Sequence, residues 1–215
     1  MKKTSLLSTV FLLLGCAAKP IPLSKAGRED LRTQKIVQAV IFPSERPRVF
    51  TPAAVAGGSI TNPLGPDEST AIDSLAGARR NQLKGDPAGV LGHQFLAELR
   101  SRKLVDSIPH VTGAEMNLSQ KGLAMDFKTL TWTIHFPTPG AGYSLRYEAR
   151  ARLIDSRSPT PLWQGVCNHE ANEANGKKTW SELIKNDGAN LEKLMDSVVD
   201  TCTDQLIVQF QQTDT

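Results

Sequence analysis

Apolar positions along this chain follow two rhythms, one of period two and one of three to four residues, and each marks a different kind of element. The clearest period of two lies at 143–154. Tyr143, Leu145, Tyr147, Ala149, Ala151 and Leu153 alternate with Ser144, Arg146, Glu148, Arg150 and Arg152, which predicts a strand with one face on a core and the other toward water. Upstream, Leu130, Trp132, Ile134 and Phe136 alternate against threonines within a second strand at 123–136. Downstream, a turn at 156–160 leads into a third strand at 162–170, so the three form an antiparallel meander. An earlier strand at 35–42 carries Ile36, Val40 and Phe42 on one face and Val37, Ala39 and Ile41 on the other. Apolar residues on both sides predict an interior position.

The longer rhythm predicts helices. Asp86-Pro87 is a helix start, because the carboxylate accepts from free amides and proline suits the first helical position. Val90, Leu91, Phe95 and Leu99 carry that helix over 86–104. Thr179-Trp180-Ser181-Glu182 fits a capping box for a short helix. After a break at Asn186-Asp187-Gly188, the residues Leu191, Leu194, Met195, Val198, Val199, Cys202, Leu206 and Phe210 form an amphipathic stripe on a second one. The order strand, helix, three-strand meander, helices predicts an α+β fold, a mostly antiparallel sheet with helices packed on one face. One domain is expected over 35–215, interrupted at 43–85 by a long loop rich in glycine and proline, with a short helix expected at 69–83. Residues 16–34 contain Pro20, Pro22, Gly27 and several charges without apolar period, and are expected to be a flexible tether.

Ahead of that tether, Lys2 and Lys3 precede an apolar run from Leu6 to Leu14, shorter than the roughly 20 residues that span a bilayer. The run closes on Leu13-Leu14-Gly15-Cys16, which resembles the lipobox of bacterial lipoproteins. The resemblance implies that 1–15 is a signal peptide and that Cys16 becomes the first residue, carrying a diacylglyceryl thioether and an acyl chain such as palmitate. It implies a place in the cell envelope, anchored to the membrane through lipid. Ala17 in the position where an aspartate usually retains such proteins in the inner membrane implies the outer membrane, facing the periplasm. The alternation at 143–153, followed by Asp155 and Leu162-Trp163-Gln164-Gly165, is loosely similar to the small α/β domains of envelope lipoproteins that assist assembly or transport.

Composition narrows the choice of partner. Removing the signal leaves 200 residues and lowers the formal charge of +3 to about +1, since two lysines leave with it. Nucleic acid is therefore not an expected partner. In an oxidising compartment, Cys167 and Cys202 are expected to pair. The alternative leaves free thiols, with Cys167 and His169 on one strand face as nucleophile and base of an envelope hydrolase. His93, His110 and His135 lack the short spacing of a zinc site, so no metal is expected, and no cofactor beyond the lipid on Cys16. Trp132, Trp163 and Trp180 are expected as structural anchors rather than a ligand groove. Arg146, Arg150 and Arg152 form a basic stripe suited to a phospholipid, lipopolysaccharide or peptidoglycan anion, against the plainer reading of a solvated strand face. The function expected is that of a non-enzymatic envelope accessory. A carrier of a small apolar ligand, bound between helix and sheet, is the third reading.

Overall fold

The computed structural model describes residues 18–43, 48–50, 87–105, 110–113, 122–135, 142–158, 160–172 and 180–212. Its elements in chain order are α1 (Lys25–Thr33), β1 (Ile36–Phe42), β2 (Arg48–Phe50), α2 (Pro87–Ser101), β3 (His110–Gly113), β4 (Leu123–His135), β5 (Ser144–Asp155), β6 (Pro161–Asn172) and α3 (Trp180–Gln211). Among the described residues the strands form one six-stranded sheet in the order β3, β1, β4, β5, β6, with β2 following β1 along the same side of β4. The long β4–β5 and β5–β6 pairs are the antiparallel meander, whereas the short β1, β2 and β3 join in parallel. The fold is α+β, as the pattern predicts, with a parallel margin on its antiparallel bulk.

Odd-numbered residues of β5, from Leu145 to Leu153, face the helices and are buried with Met125 and Phe127 of β4 and Trp163 and Cys167 of β6. The register of β4 shifts between Thr129 and Thr131. The extra residue moves the buried set from odd to even positions, so Ile134 and partly buried Trp132 continue the core begun by Leu123, Met125 and Phe127. A second shift, between Ile36 and Gln38, turns Val37 outward and leaves Ile36 with Ala39 and Ile41 in the core. The strict alternation expected in β1 therefore fails at its first residues.

Helices α2 and α3 close the core through an aromatic cluster. Phe95 of α2 lies parallel to Trp163 at 5.7 Å between centroids and meets Phe127 and Phe210 edge-on at 5.8 and 6.0 Å. Phe210 also stands edge-on to Trp163 at 4.9 Å. Helix α3 can approach this closely because Gly165 lacks a side chain: a Cβ there would sit 2.5 Å from the Trp163 ring and 2.7 Å from Leu206. Helix α2 ends in a left-handed turn at Lys103, with φ of 58°. There the Leu104 and Lys103 amides donate to the Leu99 and Arg100 carbonyls, a Schellman closure in which lysine takes the usual glycine position.

Strand β6 is the outer strand on its side, and part of its outward backbone is covered by a side chain of α3 and by the backbone at Ile21. The Gln209 amide of α3 accepts from the Val166 N–H at 3.0 Å and donates to the Val166 carbonyl at 2.8 Å. Gln164 exchanges both backbone hydrogen bonds with Ile21, at 2.8 and 2.9 Å. These contacts occupy groups that would otherwise recruit another strand.

Three expectations change here. The tether predicted at 16–34 is ordered from residue 19 onward: its Ile21 pairs with β6, Leu23 is buried, and 25–33 is helical. Ser24 caps that helix by accepting from the Gly27 amide at 3.1 Å, and Arg28 donates to the Gln211 and Gln212 carbonyls, each at 3.0 Å, so tertiary contacts hold a helix that has little apolar pattern of its own. The expected break at 186–188 is absent, because α3 runs unbroken over 32 residues. One glycine costs a helix about 1 kcal/mol, less than the cost of nucleating a second helix beyond it. The loop at 43–85 contains β2, and the four-residue β3 begins at His110. The helix expected at 69–83, the caps at Asp86 and Thr179, and Cys16 lie outside the described residues.

Candidate functional site

The meander has two faces with opposite chemistry. On the face away from α2 and α3, even-numbered residues of β5 meet those of β4 and β6 in register: Arg152 stands opposite Asp126 and Gln164, and Arg150 opposite Lys128 and Val166. Further along, Glu148 faces Thr131 and Asn168, and Arg146 faces Thr133 and Glu170.

The three arginines of the predicted stripe divide into three roles. Arg152 is committed to structure. Its Nε donates to both Asp126 carboxylate oxygens, at 3.0 and 2.9 Å, and its Nη2 also contacts Asp126. The Asp126 side chain is 0% exposed against 27% for Arg152, so the arginine supplies the counter-charge that this buried carboxylate requires. Arg146 is largely exposed and lies 4.0 Å from Glu148, a loose surface pair.

Arg150 is the exception. Its Nε is shut away from solvent without a hydrogen-bond acceptor. Directly across the strand pair is exposed Lys128, which has no acidic partner among the described residues. Like charges opposite one another on a sheet repel. Burial, followed by the neighbouring Arg152 charge, lowers the basicity of Arg150, with Asp126 partly opposing the shift. Lys128 and Arg150 thus make a cationic pair beside Asp126, whose carboxylate is already engaged by Arg152, and paired cations of this kind are suited to a carboxylate or phosphate oxygen. Lys128 and Asp126 were not among the residues predicted from sequence. The signal was present: Ala124, Asp126 and Lys128 share one face of β4 by the same alternation that placed the arginines on β5.

Cys167 and Cys202 are disulfide-bonded, with Cα atoms 5.2 Å apart and both residues buried. Bonded in this way, Cys167 holds no thiol for the hydrolase alternative, although His169 does follow on the same strand. His93 and His135 are exposed, on α2 and at the end of β4. Among the described residues no group of three or more His, Cys, Asp or Glu side chains is arranged to hold a metal ion. Trp163 is the core anchor expected of it, and Trp132 packs against the same core. Phe95, Trp163 and Phe210 pack against one another between the helices and the sheet. Among the described residues no helix is long and apolar enough to cross a membrane.

No protein-family model and no curated protein matches the sequence. Among the solved structures similar in the course of the chain are the following three. One is the PelC dodecamer from Paraburkholderia phytofirmans, at 13% identity and a TM-score of 0.34 over 82% of this chain and 88% of that one. Another is the lipoprotein GNA1162 from Neisseria meningitidis, at 13% identity and 0.29 over 78% and 99%. The third is the hypothetical protein CT253 from Chlamydia trachomatis, at 10% identity and 0.30 over 81% and 99%. The likeness at these scores is loose, and no residue role is transferred from those proteins to this one.

Proposed function

We propose that this chain is a lipid-anchored protein of the cell envelope, held in the outer membrane through Cys16, whose periplasmic domain binds an anionic envelope component as an assembly or transport accessory. The anchor rests on Leu13-Leu14-Gly15-Cys16 and on Ala17 after it. Labelled palmitate enters the chain and Cys16→Ser abolishes the incorporation; a chain that takes up no label sinks the anchor.

The binding role rests on one observation, the cationic pair Lys128 and Arg150 on the outer face of the meander. Arginine presents several donors in a fixed fork that matches carboxylate and phosphate geometry, and lysine adds a second charge. The test is retention of the purified chain on peptidoglycan sacculi and on lipopolysaccharide aggregates. One of the two polyanions retains the protein in a salt-sensitive way, and Arg150→Gln with Lys128→Gln weakens retention at least tenfold. Equal retention of the double variant, or none by the parent chain, overturns the reading.

A further inference from the structure

We infer that the domain lies directly on the bilayer that holds it, seated by the edge formed by residues 19–33 and the C-terminal end of α3, with an anionic lipid surface as the partner of that edge. The inference rests on the lipid anchor at Cys16 proposed above. From there it follows from chain reach. The Lys19 carbonyl accepts from Gln164 Nε2 at 2.6 Å, and Ile21 is paired on both its backbone groups with β6. The chain is therefore fastened to the sheet three residues beyond the lipid-bearing Cys16. Three residues span at most about 10 Å. The polar headgroup layer on one side of a bilayer takes up roughly 5–7 Å of that distance. What remains is too short to let the domain turn or stand away from the surface.

The chemistry of the edge agrees with that placement. Lys19 and Lys25 are exposed and have no acidic partner among the described residues. Lys35 is exposed as well, and exposed Arg32 reaches Glu29 only at 3.9 Å. The end of α3 comes to the same edge, where its free carbonyls would repel anionic headgroups. Arg28 covers them, donating to Gln211 and Gln212. The edge so presents ammonium and guanidinium groups toward lipid, and the negative end of the longest helix is masked.

The experiment uses the full acylated chain in vesicles of phosphatidylethanolamine and phosphatidylglycerol carrying a headgroup-linked quencher. A fluorophore is placed at Ala26→Cys on α1, or at Lys193→Cys, which lies about 27 Å further from Gln211 along the α3 axis. Quenching at position 26 exceeds that at 193 at least fivefold, and a fifteen-residue glycine-serine insertion after Ala18 brings the two close to equal. Lys19→Glu with Lys25→Glu lowers the ratio at least twofold. Equal quenching at both positions in the uninserted chain overturns the seating, and an unchanged ratio after insertion overturns the short leash as its cause. An unchanged ratio after charge reversal overturns the anionic surface as the partner. Palmitate incorporation measured in the same samples separates these results from failure of the anchor itself.

Discussion

At position 165 a single methyl group decides whether α3 can lie on the sheet, because the atoms it would strike belong to the Trp163 ring and to Leu206, both buried. Gly165→Ala is expected to destabilise the domain by about 1–3 kcal/mol, read as a lower urea midpoint at unchanged slope. Asp155 shows a charge effect at the same scale. Its carboxylate accepts from Arg157 Nε at 2.9 and 3.0 Å and from the Arg157 backbone amide at 2.9 Å. Those bonds, the side-chain ones first, hold the Asp155 carboxyl below its ordinary value against the opposing effect of burial. A depressed carboxyl stabilises the fold above its unfolded value of about 3.9 and loses that contribution as pH falls toward the lowered one. The stability gap between the parent chain and Asp155→Asn is therefore full at neutral pH and closes below about pH 4, measured by urea unfolding across that range. Sequence did place Gly165 beside Trp163 on a strand, but nothing local announces that Leu206 arrives 41 positions later.

Elements explain which parts of the architecture were legible. The odd-to-even switch in β4 can be read directly, since Leu123, Met125 and Phe127 precede Leu130, Trp132 and Ile134, and β5 needs no partner to declare its two faces. Strands of three or four residues such as β2 and β3 carry too few positions for a period, and their pairing comes from neighbours distant in sequence. Helix α1 is mostly polar and is held by the local Ser24 cap, by Arg28 bonded to the end of α3 and by burial of Leu23 just before it. The candidate site divides in the same way. Alternation exposed the arginine stripe, whereas the commitment of Arg152 depends on Asp126 of another strand. That pair has an asymmetric consequence. Arg152→Ala strands a fully buried carboxylate and is expected to cost roughly 3–5 kcal/mol, while Asp126→Ala leaves a cation that reaches water and costs less. Equal losses in thermal or urea unfolding would count against this assignment.

Among the described residues, the aromatic cluster and the Cys167–Cys202 bond both join helix to sheet, beside the Gln209–Val166 hydrogen bonds. The two cysteines are 35 positions apart, and a covalent loop of that size is worth roughly 4 kcal/mol in the chain-entropy model. Reduction is expected to lower the unfolding midpoint accordingly while leaving a folded domain, checked by denaturation with and without dithiothreitol. A midpoint indifferent to reductant would remove the bond from the account of stability. The cysteine pairing was legible because the compartment implied by the lipobox resemblance and the count of cysteines pointed the same way. The continuity of α3 was not, because the 186–188 stretch looks like a turn in isolation and is carried by the helix on either side of it.

The clasp between Arg28 and the carbonyls of Gln211 and Gln212 brings α1 and the C-terminal end of α3 side by side. With the anchor proposed at Cys16, a reporter or affinity handle fused after Gln212 is expected to lie close to the membrane edge inferred above. On that seating such a fusion is expected to lift the domain off its support, read as a loss of the quenching difference between positions 26 and 193.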